Sequence, residues 1–139
     1  MNSAELTMVD HGNYLFATIK AEKHTPDVCL AQLKEIRKAC REAGRKRLLI
    51  KRDIPEPLDV STCYHLSEES VPLLAGIKTA WVNPYEYNHH TLEFGVTVAN
   101  NRGAFYGLFR EPKEAEEWLV ASIPRPRFSK ERPGYTAGK

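Results

Sequence analysis

The fold is decided by residues 25–50, TPDVCLAQLKEIRKACREAGRKRLLI. Thr25-Pro26-Asp27 has the makings of a helix start: a hydroxyl residue for the N-cap, proline at the first helical position, and an acid in the positive first turn. Cys29, Leu33, Ile36, Cys40 and Ala43 then recur at steps of four and three, which predicts one apolar stripe along a helix. Gly44 stands where a left-handed residue ends such a helix. Leu48-Leu49-Ile50 follows directly as a short buried strand.

Working outward, Leu6 to Val9 and Tyr14 to Lys20 are apolar-rich runs separated by Asp10-His11-Gly12-Asn13, which predicts a β-hairpin. In its second arm Leu15, Ala17 and Ile19 alternate with Tyr14, Phe16, Thr18 and Lys20, as in a strand buried on at least one side. On the other flank, Ile54-Pro55-Glu56-Pro57 is a loop, because each proline disfavours helix for the residue before it. Asp59 through Leu74 is predicted to be a helix broken at Pro72. Gly76 punctuates, Thr79-Ala80-Trp81-Val82 is the next strand, and Asn83-Pro84 ends it.

Tyr87 to Asn101 fits two patterns. Leu92, Phe94, Val96 and Val98 alternate like a strand, while Leu92, Val96 and Ala99 fit a helical stripe. Ala104 to Phe109 is a strand, and Pro112 opens a last helix with Ala115, Trp118 and Leu119 on one side. The predicted order is hairpin, helix, strand, helix, strand, helix, strand, helix. Such alternation means one α/β domain with a largely parallel sheet, over residues 1–122. The basic, Pro/Gly-containing tail 123–139 is expected on the surface with a disordered end.

A chain of 139 residues, 42% hydrophobic and 27% charged, is one ordinary globular domain and excludes wholesale disorder. No apolar run approaches the roughly 20 residues that span a bilayer, and the start Met1-Asn2-Ser3-Ala4-Glu5 lacks a basic leader and an apolar core. Membrane insertion and secretion are therefore not expected. The three cysteines are odd in number and irregular in spacing. Cys29 and Cys40, on one helix, would stand roughly 16 Å apart, beyond disulfide reach. With Cys63 they are expected to be reduced thiols of a cytoplasmic protein.

The net charge of +2 hides an asymmetry. Residues 34–52 carry nine basic side chains against two acids, whereas residues 53–100 carry seven acids against Lys78 alone. The basic stretch has the composition that attracts phosphate backbones, and also that of a solvated helix face. A basic patch opposite an acidic one further suits head-to-tail protein contact, and a homodimer is compatible with this composition.

Specific catalytic motifs are absent. His89 and His90 are adjacent, so on a helix they diverge by about 100° and cannot share a metal. Cys63 as a nucleophile needs a base from elsewhere in the chain. Gly95, Gly103 and Gly107 match no phosphate-loop or dinucleotide pattern, so no cofactor is implied. Asp53, Glu56 and Asp59 have the chemistry to chelate a hard cation, yet clustered acids in a proline-rich loop are commonly just solvated.

The carboxyl-terminal third carries a further signal. Val98-Ala99-Asn100-Asn101-Arg102-Gly103, then Leu108-Phe109-Arg110-Glu111, then Glu114-Ala115-Glu116-Glu117-Trp118-Leu119, resembles the small bacterial SpoIIAA-like proteins of the wider STAS (sulfate transporter and anti-sigma-factor antagonist) group. The order of elements is similar over roughly residues 6 to 121. The resemblance implies a superhelix of β-α units around a sheet of four to five strands, with Tyr87 to Asn101 helical. The Asn101-Arg102-Gly103 corner would let Gly103 turn the chain while Arg102 reaches back to helix-end carbonyls, and Phe109 and Trp118 would pin the last strand to the last helix.

In regulatory members of that group, a serine or threonine at the start of the second major helix is phosphorylated to break partner binding. The nearest equivalent here is Asp59-Val60-Ser61-Thr62-Cys63, which has no glycine and one extra residue after the acid. Ser61 and Thr62 are thus candidate phospho-acceptors, with helix capping by Asp59, Ser61 or Thr62 as the simpler role. A phosphate there would be repelled by Glu56 and Asp59 and attracted by the helix start.

These readings lead to a non-catalytic cytoplasmic interaction or regulatory module that binds a protein or small ligand at the strand-end loops. The residues expected there are Arg52, Asp59, Trp81, Tyr85 and Tyr87. Two alternatives remain: nucleic-acid binding through Lys34, Arg37, Lys38, Arg41 and Arg45, and an enzyme using Cys63 or the acidic 53–59 loop.

Overall fold

The structure, a computed structural model, describes residues 4–121, so the tail 123–139 lies outside the described residues. Strands β1 (Glu5–Asp10) and β2 (Leu15–Lys20) form the antiparallel hairpin, with Asp10 opposite Leu15. Its turn is closed by the Gly12 amide, which donates to Oδ1 of Asp10 at 2.9 Å. Helix α1 (Pro26–Ala43) follows as predicted and buries Cys29, Leu33, Ile36 and Cys40. Gly44 takes φ 70°, and the Arg45 amide closes the end by donating to the Cys40 carbonyl at 2.8 Å. The Thr25 hydroxyl does not cap this helix. Its carbonyl opens the helix instead, accepting from the Cys29 amide at 2.9 Å.

Strand β3 (Arg47–Asp53) is longer than its apolar centre Leu48-Leu49-Ile50, because it pairs along its length with β2 on one side and β4 (Lys78–Val82) on the other. Helix α2 (Val60–Leu73) lies between them in sequence and is continuous, contrary to the predicted break. Pro72 falls in its last turn, where it removes one bond only, and the Leu74 amide still reaches the Ser70 carbonyl at 3.0 Å. A single 3-10 turn, Glu86–Asn88, leads into α3 (His89–Asn100), so the ambiguous stretch is helical. Strand β5 (Tyr106–Phe109) and helix α4 (Pro112–Ala121) complete the order.

The five strands lie in the order β1-β2-β3-β4-β5, with β2 to β5 parallel. This is an α/β domain with one mixed sheet. Helices α1, α2 and α3 cover one face, where Leu15, Ala17, Ile19, Leu33, Ile36, Leu48 and Ile50 form the larger core. Helix α4 covers the other, packing Ala115 and Leu119 on Leu49, Ala80 and Val82. Trp118 meets Phe109 at 5.4 Å between ring centres, the pinning expected of that pair. At the corner after α3, Gly103 takes φ 98° and Arg102 donates back to the Val98 carbonyl at 3.2 Å. Its other nitrogen pairs with Glu68 of α2 at 2.9 Å, tying α3 to α2.

Gly95 is what lets those two helices come so close. A Cβ on it would stand 2.5 Å from Ser67 Oγ and 2.6 Å from Cys63 Sγ. Among the described residues, no helix is long and apolar enough to cross a membrane.

Candidate functional site

Parallel register sets Trp81 of β4 beside Ile50 of β3 and Leu108 of β5, and Arg52 beside Ile19 of β2. Residues two apart on a strand face the same way, so Arg52 and Trp81 both project toward the layer of α1, α2 and α3. There they line one cavity of about 50 Å³ with Ile19, Leu66, Leu92, Val96 and Leu108. Cys29, Ser67, Ser70, Gly95 and Tyr106 complete its wall.

Arg52 is only 3% exposed. Its Nη1 donates to the Ile54 carbonyl at 3.4 Å, and its Nη2 to His24 Nδ1 at 3.3 Å. Among the described residues no carboxylate stands within ion-pair distance of it. Burial draws its pKa below the ordinary arginine value, against upward pulls from Cys29, Cys63, Glu56 and Tyr87. Glu56 acts only from farther off, because its Oε1 accepts from the His24 amide at 2.6 Å. Trp81 brings a second donor without a partner, since its Nε1 is buried and makes no hydrogen bond.

Two other polar groups of the wall, Ser70 and Tyr106, are engaged. Ser70 donates to the Ser67 carbonyl at 2.8 Å, which leaves its oxygen to accept from the Tyr106 hydroxyl, also at 2.8 Å. Burial pushes the Tyr106 phenol up to about 12. Cys29 is held protonated by burial, which outweighs the opposing pull of Arg52.

Sequence reasoning grouped Trp81 with Tyr85 and Tyr87, and the structure separates them. Trp81 lies in the cavity wall, whereas the tyrosines follow β4 and latch the loop after β3. Tyr85 donates to Asp53 at 2.6 Å, and Tyr87 donates to the Pro55 carbonyl. Asn88, which sequence reasoning missed, fixes the same loop: its Oδ1 accepts from the Leu58 amide at 2.9 Å and its Nδ2 donates to the Glu56 carbonyl at 3.0 Å. An asparagine just ahead of a helix was the available signal. Asp59 caps α2, accepting from the Thr62 amide at 3.0 Å and from the Thr62 hydroxyl at 2.6 Å. Those bonds hold its carboxyl below the usual range. Ser61 is exposed in the same first turn, so the two candidate phospho-acceptors differ in how free their hydroxyls are.

Cys63 is buried, with its Sγ donating to the Thr91 carbonyl at 3.4 Å and its pKa raised by burial. A raised pKa is the reverse of an activated thiolate. Among the described residues, no three His, Cys, Asp or Glu side chains cluster to hold a metal ion.

The basic residues sit at the other end of the sheet. Arg37, Arg41, Arg45 and Lys46 line an open groove of about 450 Å³ beside Pro72 and Ile77. Lys34 and Lys38 are exposed on α1 outside its lining. Arg45 is partly spoken for, gripping Asp10 through Nε at 2.8 Å and Nη2 at 3.0 Å. The chain matches no protein-family model and no curated protein.

Proposed function

We propose that this protein is a non-catalytic binding module of SpoIIAA-like, STAS-type architecture that admits a small ligand between its sheet and helices α2 and α3. The observation carrying this reading is the cavity itself, lined by both Arg52 and Trp81 on the carboxyl-terminal half of the parallel strands. In α/β sheets that end is where ligands bind. The pinned 54–58 loop supplies the Ile54 carbonyl to which Arg52 donates. A regulatory role and a cytoplasmic location belong to the same proposal, by resemblance of the element order.

A fragment screen by protein-observed NMR tests it. Small ligands that shift Trp81, Gly95 and Arg52 signals together support the cavity. Shifts scattered over the exposed surface, with these three unmoved, overturn it.

One observation favours nucleic acid as a second reading. Next to the Arg37–Lys46 groove, Lys46, Arg47, Lys78 and Phe105 line another of about 390 Å³, with Lys78 Nζ 5.1 Å from the centre of the Phe105 ring. Cations beside an exposed aromatic ring are the elements of a single-strand platform. Binding that weakens steeply as salt rises is the expected signature, and no binding at low salt removes this reading.

A further inference from the structure

We infer that the cavity ligand is a small carboxylate with a short hydrocarbon body, held by Arg52 and Trp81. This rests on the cavity being the binding site. A guanidinium has five N–H donors and no acceptor, and only two contacts occupy them here, both long for charge-assisted bonds. The indole N–H adds a further unpartnered donor in the same wall. The site is therefore rich in donors, while the Ser70 and Tyr106 oxygens are already joined to each other.

Charge gives the same answer. A buried cation is ordinarily paired, and no carboxylate of the described residues reaches Arg52. A water bridging the two donors would satisfy hydrogen bonds but neutralise nothing. A single guanidinium among apolar side chains matches one negative charge; a dianion would carry a second charge into that layer. The planar fork fits a carboxylate by two parallel bonds. Ile19, Leu92 and Leu108 line the apolar part of this cavity, whose volume of about 50 Å³ admits a short hydrocarbon body only.

The test uses the full chain, ¹⁵N-labelled, titrated in parallel with isobutyrate, isobutyramide and inorganic phosphate while the Trp81 indole signal is followed. Isobutyrate should shift that signal and bind about tenfold or more tighter than the amide, the margin expected of hydrogen bonds to a charged group. In Arg52→Met the preference should vanish with amide binding retained. Trp81→Phe, which keeps a ring and removes the N–H and is followed through the Gly95 amide instead, should weaken isobutyrate severalfold and so tests the inference even if the arginine variant does not fold. Equal binding of acid and amide overturns the carboxylate inference and leaves the cavity reading standing. Phosphate binding as tightly as isobutyrate overturns it likewise. No shift at Trp81 with any of the three overturns both.

Discussion

Nη2 of Arg52 lies 3.3 Å from Nδ1 of His24, and because a guanidinium only donates, the imidazole accepts there and carries its proton on Nε2. Burial, reinforced by Arg52, draws the His24 pKa down to about 4. The neutral ring is thus part of how the cation is seated.

That pairing fixes a pH dependence. In the unfolded chain a histidine titrates near 6.5, so between about pH 6.5 and about pH 4 unfolding takes up a proton that the folded state refuses. Stability should therefore fall as pH is lowered through this window. His24→Gln offers an acceptor that does not titrate, and should flatten that part of the profile. Urea unfolding of both chains at pH 7, 5.5 and 4.5 checks it; parallel profiles would remove His24 as the cause.

Gly95→Ala should destabilise the protein by about 1–3 kcal/mol, because its methyl group must displace Cys63 and Ser67 where α2 and α3 meet. Adding Cys63→Ala or Ser67→Ala, each in its own pair with Gly95→Ala, should return part of that loss, measured as a double-mutant coupling in urea.

Asp59→Ala removes the cap of α2 and should cost about 1 kcal/mol, whereas Ser61→Ala, exposed one position into the helix, should change stability by less than about 0.5 kcal/mol. Thermal unfolding of the two variants side by side separates capping from mere proximity. Equal effects would mean that Asp59 is not the cap that matters.

Arg52→Met should leave stability within about 1 kcal/mol of the parent or raise it, since a buried charge lacking a carboxylate is commonly replaced without loss by an apolar residue of similar length. A loss of more than about 3 kcal/mol would show that the bonds to Ile54 and His24 make Arg52 a structural residue first. Equilibrium unfolding in urea decides between them.

Helix α1 was legible because its signals are local: a proline at the start, a four-three stripe and a glycine at the end. Helix α3 was legible only through the resemblance and not from its own periodicity, since its buried positions are His89, Gly95, Val98 and Ala99 rather than a broad apolar stripe. Pro72 misled because its effect depends on distance from a helix end that only packing sets. The arginine at the end of β3 could be singled out, but its isolation from acids could not. The wall around it comes from α1, α2, α3 and four strands, and only the register of the sheet with the packing of α3 on α2 brings Trp81, Tyr106 and Gly95 to one place. Tyr85 and Tyr87 shared Trp81's composition and neighbourhood, and a turn after Asn83-Pro84 sent them elsewhere.

The two faces of the sheet are finished at different moments in the life of the chain. A nascent polypeptide halted before Pro112 has all five strands and three of the four helices, yet Leu49, Ala80 and Val82 still face water on the side that α4 will take. When α4 arrives, Glu116 accepts a hydrogen bond from Tyr14 at 2.9 Å, joining the fourth helix to the hairpin. The ten residues of α4 thus hide an apolar face of the sheet, and a chain cut before Pro112 would leave that face uncovered.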